Sequence, residues 1–198
     1  MPFWEYELQA KTLCFGERMK GGLYRPCDTR TIRYSAVTGA LRGLFGGADL
    51  HAAGYFVQKD GHNRVEYLTY SPRDDVTGVS ILPLTVQFLS DALGCVIVKT
   101  EQPLSETFEV TMGAMKSHGF GRCRFRRVGP AEMAPIHGLL RTRLPLDRQS
   151  DFGIQKVMAP VYGYLFEPTS PVTGMYVLSL FEGSWVYGPQ CLVEEERI

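Results

Sequence analysis

Apolar and polar side chains alternate along the first fifteen residues of this chain. The apolar positions are Trp4, Tyr6, Leu8 and Ala10, followed by Leu13 and Phe15. A period of two places successive side chains on opposite faces of a β-strand. The alternation therefore predicts a first strand over residues 3–15, buried on one face, in an α+β fold that is mostly antiparallel sheet.

A second alternation places Arg122, Arg124 and Arg126 on one face of a predicted strand, with Cys123 and Phe125 on the other. Such an arginine face is costly to bury. It suits a polyanion, because a guanidinium group can bind phosphate through two parallel hydrogen bonds. The alternative is a solvated face that is neutralised by salt bridges to acidic segments.

The charge distribution keeps the polyanion hypothesis open, although 21 basic and 21 acidic residues give the 198-residue chain no net charge. Residues 1–47 carry 7 basic and 4 acidic side chains, 48–115 carry 4 and 9, 116–148 carry 8 and 2, and 149–198 carry 2 and 6. If the fold brings the two basic segments together, they form one positive face.

Each basic segment contains a motif. In the first, Ser35 can cap a helix that extends to Phe45, with Arg42 away from its apolar side. The second begins with a glycine-rich turn, Lys116-Ser117-His118-Gly119-Phe120-Gly121-Arg122. Glycines there allow close approach of the backbone to a phosphate, although the spacing matches no known phosphate-loop pattern and a purely structural turn is the alternative.

Other elements are predicted from local signals. Residues 105–115 favour a helix, although Thr107, Val110 and Thr111 favour a strand. The strand predictions are a hairpin of residues 55–59 and 64–70, two strands over 79–88 and 95–99 joined by a turn, and tail strands over 162–166, 175–181 and 185–186 with 191–193.

The two motifs together resemble the CRISPR-associated RAMP superfamily. Its early helix often contains Ser or Thr followed by Gly-Ala-Leu-Arg-Gly, as in residues 38–43, and its glycine loop ends in Gly-Phe-Gly-Arg, as in residues 119–122. The two stand here in the expected order, about 75 residues apart. The chain looks most like the small subunit that caps the five-prime handle of CRISPR RNA (crRNA). This subunit belongs to the fifth Cas family and is found in type IV or type III complexes.

This resemblance implies an RRM-like (ferredoxin-like) core with a glycine-rich loop and an inserted β-rich thumb. We expect a single domain over residues 1–198, with 1–50 and 95–198 as the core and 51–94 as the insertion. It also implies a non-catalytic role in an effector complex of antiviral and anti-plasmid defence. The implied partners are crRNA, a backbone RAMP subunit and a large subunit, with target DNA or RNA reached indirectly.

The expected RNA contacts are Arg33, Tyr34, Arg42, Lys116, Ser117, His118, Gly119, Phe120, Gly121, Arg122, Arg124 and Arg126. Core packing is the alternative for the aromatic residues, and a surface salt bridge is the alternative for Arg42.

Two other functions remain open. Some RAMP relatives cleave precursor crRNA without a metal ion, and His118, Lys116 and His51 are the candidates for such acid–base catalysis. A lone histidine beside a glycine turn is more often a hydrogen-bond donor, so nuclease activity is the second hypothesis. A small-molecule-binding protein, in which the arginine face is merely solvated, is the third.

No metal, cofactor or membrane contact is predicted. The five cysteines and four histidines show neither metal-ligand spacing nor a disulfide pattern, and the N-terminus does not resemble a signal peptide. We expect a protein of the reducing cytoplasm.

Overall fold

We analysed a computed structural model, which describes residues 1–16, 24–74, 76–80, 82–169 and 173–195. In this part of the chain there are fifteen strands, one α-helix and three short 3₁₀ turns. The elements are β1 (Phe3–Leu13), β2 (Tyr24–Arg25), β3 (Thr31–Ile32), α1 (Tyr34–Phe45), β4 (His51–Phe56), β5 (Arg64–Tyr70), β6 (Leu84–Lys99), β7 (Thr107–Thr111), β8 (Arg122–Pro130), β9 (Pro135–Leu140), β10 (Leu144–Pro145), β11 (Lys156–Ala159), β12 (Tyr162–Pro168), β13 (Gly174–Leu180), β14 (Trp185–Pro189) and β15 (Val193–Glu194), with 3₁₀ turns at Lys116–His118, Leu146–Arg148 and Ser150–Phe152.

The main sheet has the strand order β3-β4-β6-β1-β8-β7, and β2 and β5 also pair with β6. All its ladders are antiparallel except the short one between β2 and β6. The predicted alternation is confirmed in β1 and β8, because Tyr6, Leu8, Cys123 and Phe125 are fully buried. The α+β class with mostly antiparallel sheet is likewise confirmed.

Different layers cover the two faces of the main sheet. Helix α1 packs through Val37 and Leu41 into the core that contains Tyr6 and Phe125. On the other face, Ile97 joins a second core with residues of two small sheets, β10-β13-β12 and β11-β14-β9-β15. Burial on both faces explains why the end of β6 is apolar without alternation.

The helix predicted over residues 105–115 is wrong, because β7 occupies Thr107–Thr111 and pairs with β8. The Phe108 ring stacks on Phe125 with centroids 4.9 Å apart. The ladder and this stacking outweigh the local helix signal. Ser35 is also not the helix cap, because α1 begins at Tyr34 and its cap residue, Arg33, makes no side-chain cap hydrogen bond.

The pairing predicted around β6 is wrong in two respects. Strand β6 runs without interruption through the predicted turn at residues 90–94, where Asp91 adopts a left-handed conformation (φ 48°). In addition, β4 and β5 do not form a hairpin, because each of them pairs with β6. Strand β6 therefore lies beside β1 in the main sheet, with β4 on its other side, although β4 and much of β6 fall in the stretch 51–94. The division into core and insertion stays a prediction.

Candidate nucleic-acid interface

The glycine-rich turn, residues 116–122, connects β7 to β8. Its 3₁₀ segment, Lys116–His118, is exposed to solvent, and Gly119 and Gly121 both have positive φ (85° and 82°). The base of the turn is held by two backbone hydrogen bonds, from Met112 N–H to the Gly121 carbonyl and from Gly121 N–H to the Thr12 carbonyl, each 2.9 Å long. The turn therefore projects from a fixed base.

The two glycines have different structural roles. A Cβ at Gly121 would lie 2.0 Å from the carbonyl oxygen of Met112, so this position admits only glycine. A Cβ at Gly119 would meet nothing within 4 Å. Gly121 thus keeps the backbone segments close together, whereas Gly119 leaves the backbone open to a ligand.

The remaining side chains of the turn are partly engaged within the protein. The ring of Phe120 packs edge to face on Phe88, with centroids 4.9 Å apart, which favours the packing alternative for this residue. His118 lies against Tyr70 at 5.1 Å, and its Nδ1 is 3.1 Å from the Ser117 hydroxyl.

The arginine face of β8, formed by Arg122, Arg124 and Arg126, is exposed as predicted. Arg122 pairs with Glu109 at 2.6 Å and Arg126 pairs with Glu7 at 3.2 Å, whereas no described carboxylate pairs with Arg124. Exposed ion pairs contribute little to stability, about 0–1 kcal/mol each, so a phosphate can replace the carboxylate at small cost.

A cavity of about 460 Å³ lies along this face. It is lined by Arg122, Arg124 and Lys11, and on the side of the turn by Gly119. Two carboxylates, Glu109 and Asp91, also line it; each is paired with a basic residue.

A second cavity, of about 400 Å³, lies on the other side of the turn and is called the helix groove below. Its lining includes Arg33 and Gly39 near the start of α1, Lys116 of the turn and Phe166 of β12. The fold thus places one basic residue from each of the two basic segments, Arg33 and Lys116, at one groove. The turn separates this groove from the arginine face.

Three of the predicted site residues contact one another instead, and of these Tyr34 and His51 are buried while Arg42 is partly buried. The Tyr34 hydroxyl lies 2.6 Å from Nδ1 of His51, and Arg42 Nη2 lies 3.4 Å from the same atom. Arg42 also donates from Nε to the Leu50 carbonyl at 2.8 Å. Burial, and next the Arg42 charge, lower the pKa of His51, so the ring is held neutral with Nδ1 as an acceptor.

This burial argues against two of the predicted roles. Tyr34 is only 7% exposed, which leaves no ring face for an RNA base. His51 is similarly buried, at 7% exposure, and is not gathered with His118 and Lys116 of the exposed turn.

Glu167, which the sequence reasoning did not single out, borders the helix groove at the end of β12. Burial raises the pKa of its carboxyl to about 7, against the opposing effects of a hydrogen bond with Ser35 and the charge of Arg33. One carboxyl oxygen is buried without a hydrogen-bond partner among the described residues. Only a three-dimensional contact with α1 creates this environment, so no sequence signal could have indicated it.

We expect Glu167→Gln to make stability less dependent on pH. Between pH 4.5, the ordinary pKa, and about 7 the folded state keeps a proton that the unfolded state releases. The free energy of unfolding therefore falls as pH rises through this window. At pH 8 the variant should be about 1–2 kcal/mol more stable than the wild type, since solvent screens part of the penalty. Urea unfolding at pH 4 and pH 8 measures this, with exposed Glu101→Gln as the control. Equal shifts in both variants would contradict it.

The described residues contain no group of three or more His, Cys, Asp or Glu side chains that could hold a metal ion. In the same part of the chain, no helix has the length and apolar character needed to cross a membrane.

This fold is similar to that of subunits of CRISPR effector complexes. No protein-family model and no curated protein sequence matches the chain. Solved structures do match it. One is a cryo-EM structure of type III-B Cmr-beta bound to cognate target RNA and AMPPnP, state 1. The match has a TM-score of 0.58 and 11% sequence identity, and it covers 92% of this chain and 86% of that chain.

A second cryo-EM structure of the type III-B Cmr-beta complex, bound to cognate target RNA, gives a TM-score of 0.57 and 10% identity over the same shares of the two chains. Identity this low shows the fold alone. At that level this chain resembles a chain of the type III-B Cmr-beta structures.

Proposed function

We propose that this protein is a subunit of a CRISPR ribonucleoprotein effector complex and that it binds the five-prime handle of crRNA. The observation that carries the proposal is the position of the 116–122 turn, which projects between the arginine face and the helix groove. Phosphates of one RNA strand can follow both basic surfaces, with the open backbone at Gly119 between them. The similarity to Cmr-beta subunits supports this function.

We also propose that the core is RRM-like. In the order β4-β6-β1-β8, with α1 between β1 and β4 along the chain, four strands and a helix follow the ferredoxin-like arrangement. Where that arrangement has its second helix, this chain has β7 and the turn. The segment 57–83, with β5, is our candidate for the inserted thumb.

The role we propose is non-catalytic. Acid–base cleavage of RNA needs a base and an acid on opposite sides of one phosphate. Of the candidate residues, His51 is buried in contact with Tyr34, while His118 and Lys116 belong to one exposed turn. As partners we propose crRNA, a backbone RAMP subunit and a large subunit, with target nucleic acid reached through the guide.

Binding and cleavage assays with repeat-derived RNA test this proposal. We expect tight binding at low salt that weakens as salt rises, because basic residues release counterions from the phosphates they neutralise. RNA that co-purifies with the protein should carry the repeat-derived five-prime handle. Magnesium and EDTA should both leave the RNA intact.

Two results would contradict the proposal. Metal-independent cleavage that disappears in His118→Ala would establish the nuclease function instead. Absence of any RNA complex at low salt, together with the absence of co-purifying RNA, would exclude both RNA functions and leave the small-molecule hypothesis.

A further inference from the structure

The hairpin of β12 and β13 presents three tyrosines to solvent on one face, called the tyrosine face below. Tyr162, Tyr164 and Tyr176 are 55%, 62% and 51% exposed. They share a face because Tyr164 is opposite Leu178 and Tyr176 is opposite Phe166 in the antiparallel register. Clusters of exposed aromatic side chains mark interaction sites in soluble proteins.

The opposite face of the hairpin fixes this orientation. Leu165 of β12 and Ser179 of β13 are buried, at 1% and 0% exposure. Leu180, which lies opposite Tyr162 on the tyrosine side, is also fully buried, so the hairpin is anchored at this end on both faces and the tyrosines are held by the sheet in a defined array. None of the β12 and β13 side chains on the tyrosine face is charged.

The tyrosine face begins where the helix groove ends. Phe166 lines the groove together with Arg33 and Lys116, and its ring lies 5.6 Å from the ring of Tyr176. Residues two apart on a strand, such as Tyr162 and Tyr164, are about 7 Å apart. Basic and aromatic surfaces are therefore continuous, and successive unstacked bases of an extended strand would each meet a separate ring.

We propose that the tyrosine face stacks the bases of a single-stranded RNA segment whose phosphates lie in the helix groove. The inference rests on the proposed function, and it adds the position at which unpaired bases of the RNA bind. A basic groove combined with an aromatic array is the arrangement by which proteins bind single strands with little sequence preference. The three exposed tyrosines therefore stack on RNA bases, a role that was predicted for Tyr34 but that its burial argues against.

The size of the face favours RNA over a protein partner. The three rings and Leu178 expose on the order of 400 Å² of side-chain surface. One side of a stable protein interface buries about 800 Å². The charges of Arg33 and Lys116 at the end of the face also complement phosphate better than an apolar protein surface.

The test compares a uridine-rich single-stranded RNA with an abasic strand of the same length, using fluorescence anisotropy. The variant replaces all three tyrosines with alanine, and the control replaces them with phenylalanine, which retains stacking. We expect the alanine variant to lose about 100-fold in affinity for the uridine strand. Its affinity for the abasic strand should be unchanged, and the phenylalanine control should bind both as the wild type does. Thermal unfolding checks that all three proteins are folded.

The outcomes separate this inference from the proposed function. If the wild type binds the uridine strand and the alanine variant binds it equally well, the tyrosine face is not a stacking surface, while RNA binding stands. If the alanine variant loses affinity by the same factor for the uridine strand and the abasic strand, the tyrosine face is likewise not a stacking surface. If the wild type self-associates and only the alanine variant is monomeric, with unchanged RNA affinity, the face is a protein interface. If the wild type binds neither strand, the proposed function fails and this inference fails with it.

Discussion

Gly121→Ala is expected to lower the free energy of unfolding by at least about 3 kcal/mol. The added Cβ would lie 2.0 Å from the Met112 carbonyl oxygen. Relieving this clash must move the base of the turn, which breaks the hydrogen bonds that Gly121 makes with Met112 and Thr12. Urea unfolding followed by circular dichroism measures the loss.

Gly119→Ala is the matched control, because Gly119 has almost the same φ as Gly121, 85° against 82°. An alanine at Gly119 meets no neighbour, so only the left-handed backbone is penalised, by about 1–2 kcal/mol. Equal losses in the two variants would show that backbone conformation alone, and not the close approach to Met112, accounts for the glycine at 121.

The triple variant Arg122→Ala, Arg124→Ala, Arg126→Ala is expected to bind repeat-derived RNA at least about 100-fold more weakly at low salt. All three side chains are exposed, so stability should change little. Removing three phosphate contacts should also reduce the slope of log affinity against log salt by about 2. Titrations at several salt concentrations measure both quantities.

Arg30→Ala is the control for this experiment, because Arg30 is also exposed but lines neither of the two basic cavities. We expect it to bind RNA as the wild type does. Among single variants, Arg124→Ala should lose most, since Arg124 has no carboxylate partner among the described residues. Should Arg30→Ala weaken binding as much as the triple variant, the arginine face would be part of a diffuse charge effect and not a binding surface.

Local patterns in the sequence predicted much of this fold. The alternation in β1 and β8 depends only on which face of a strand is buried, and the tail strands β12 to β15 were predicted from local strand and turn signals. The turn at 116–122 could also be predicted, because glycines that allow a positive φ are a local signal for a tight turn.

The errors arose where distant residues decide the structure. Whether residues 107–111 form a helix or a strand depends on the edge of β8, which a local window does not contain. Asp91 and its neighbours resemble a turn, yet β1 pairs along this stretch, β5 pairs up to Ser90 and β4 pairs from Gly94, which keeps β6 continuous.

The candidate site shows the same division. The exposed arginines follow from alternation, whereas the burial of Tyr34 results from its contact with His51, 17 residues away. The tyrosines of β12 and β13 appeared in the sequence only as strand residues, because nothing local distinguishes a solvent-facing tyrosine from a buried one.

The central position of β6 has a consequence for how the chain folds. Strands β1, β2, β4 and β5 all pair with β6, and the other neighbour of β1 is β8, which comes later still. A nascent chain that ends before Leu84 therefore holds β1 and β4 without the strand that lies between them. Pairing over such sequence separations is slow, and unpaired apolar strands are open to misassembly in the meantime. Synthesis of residues 84–99 is thus the step that allows the first half of the protein to fold.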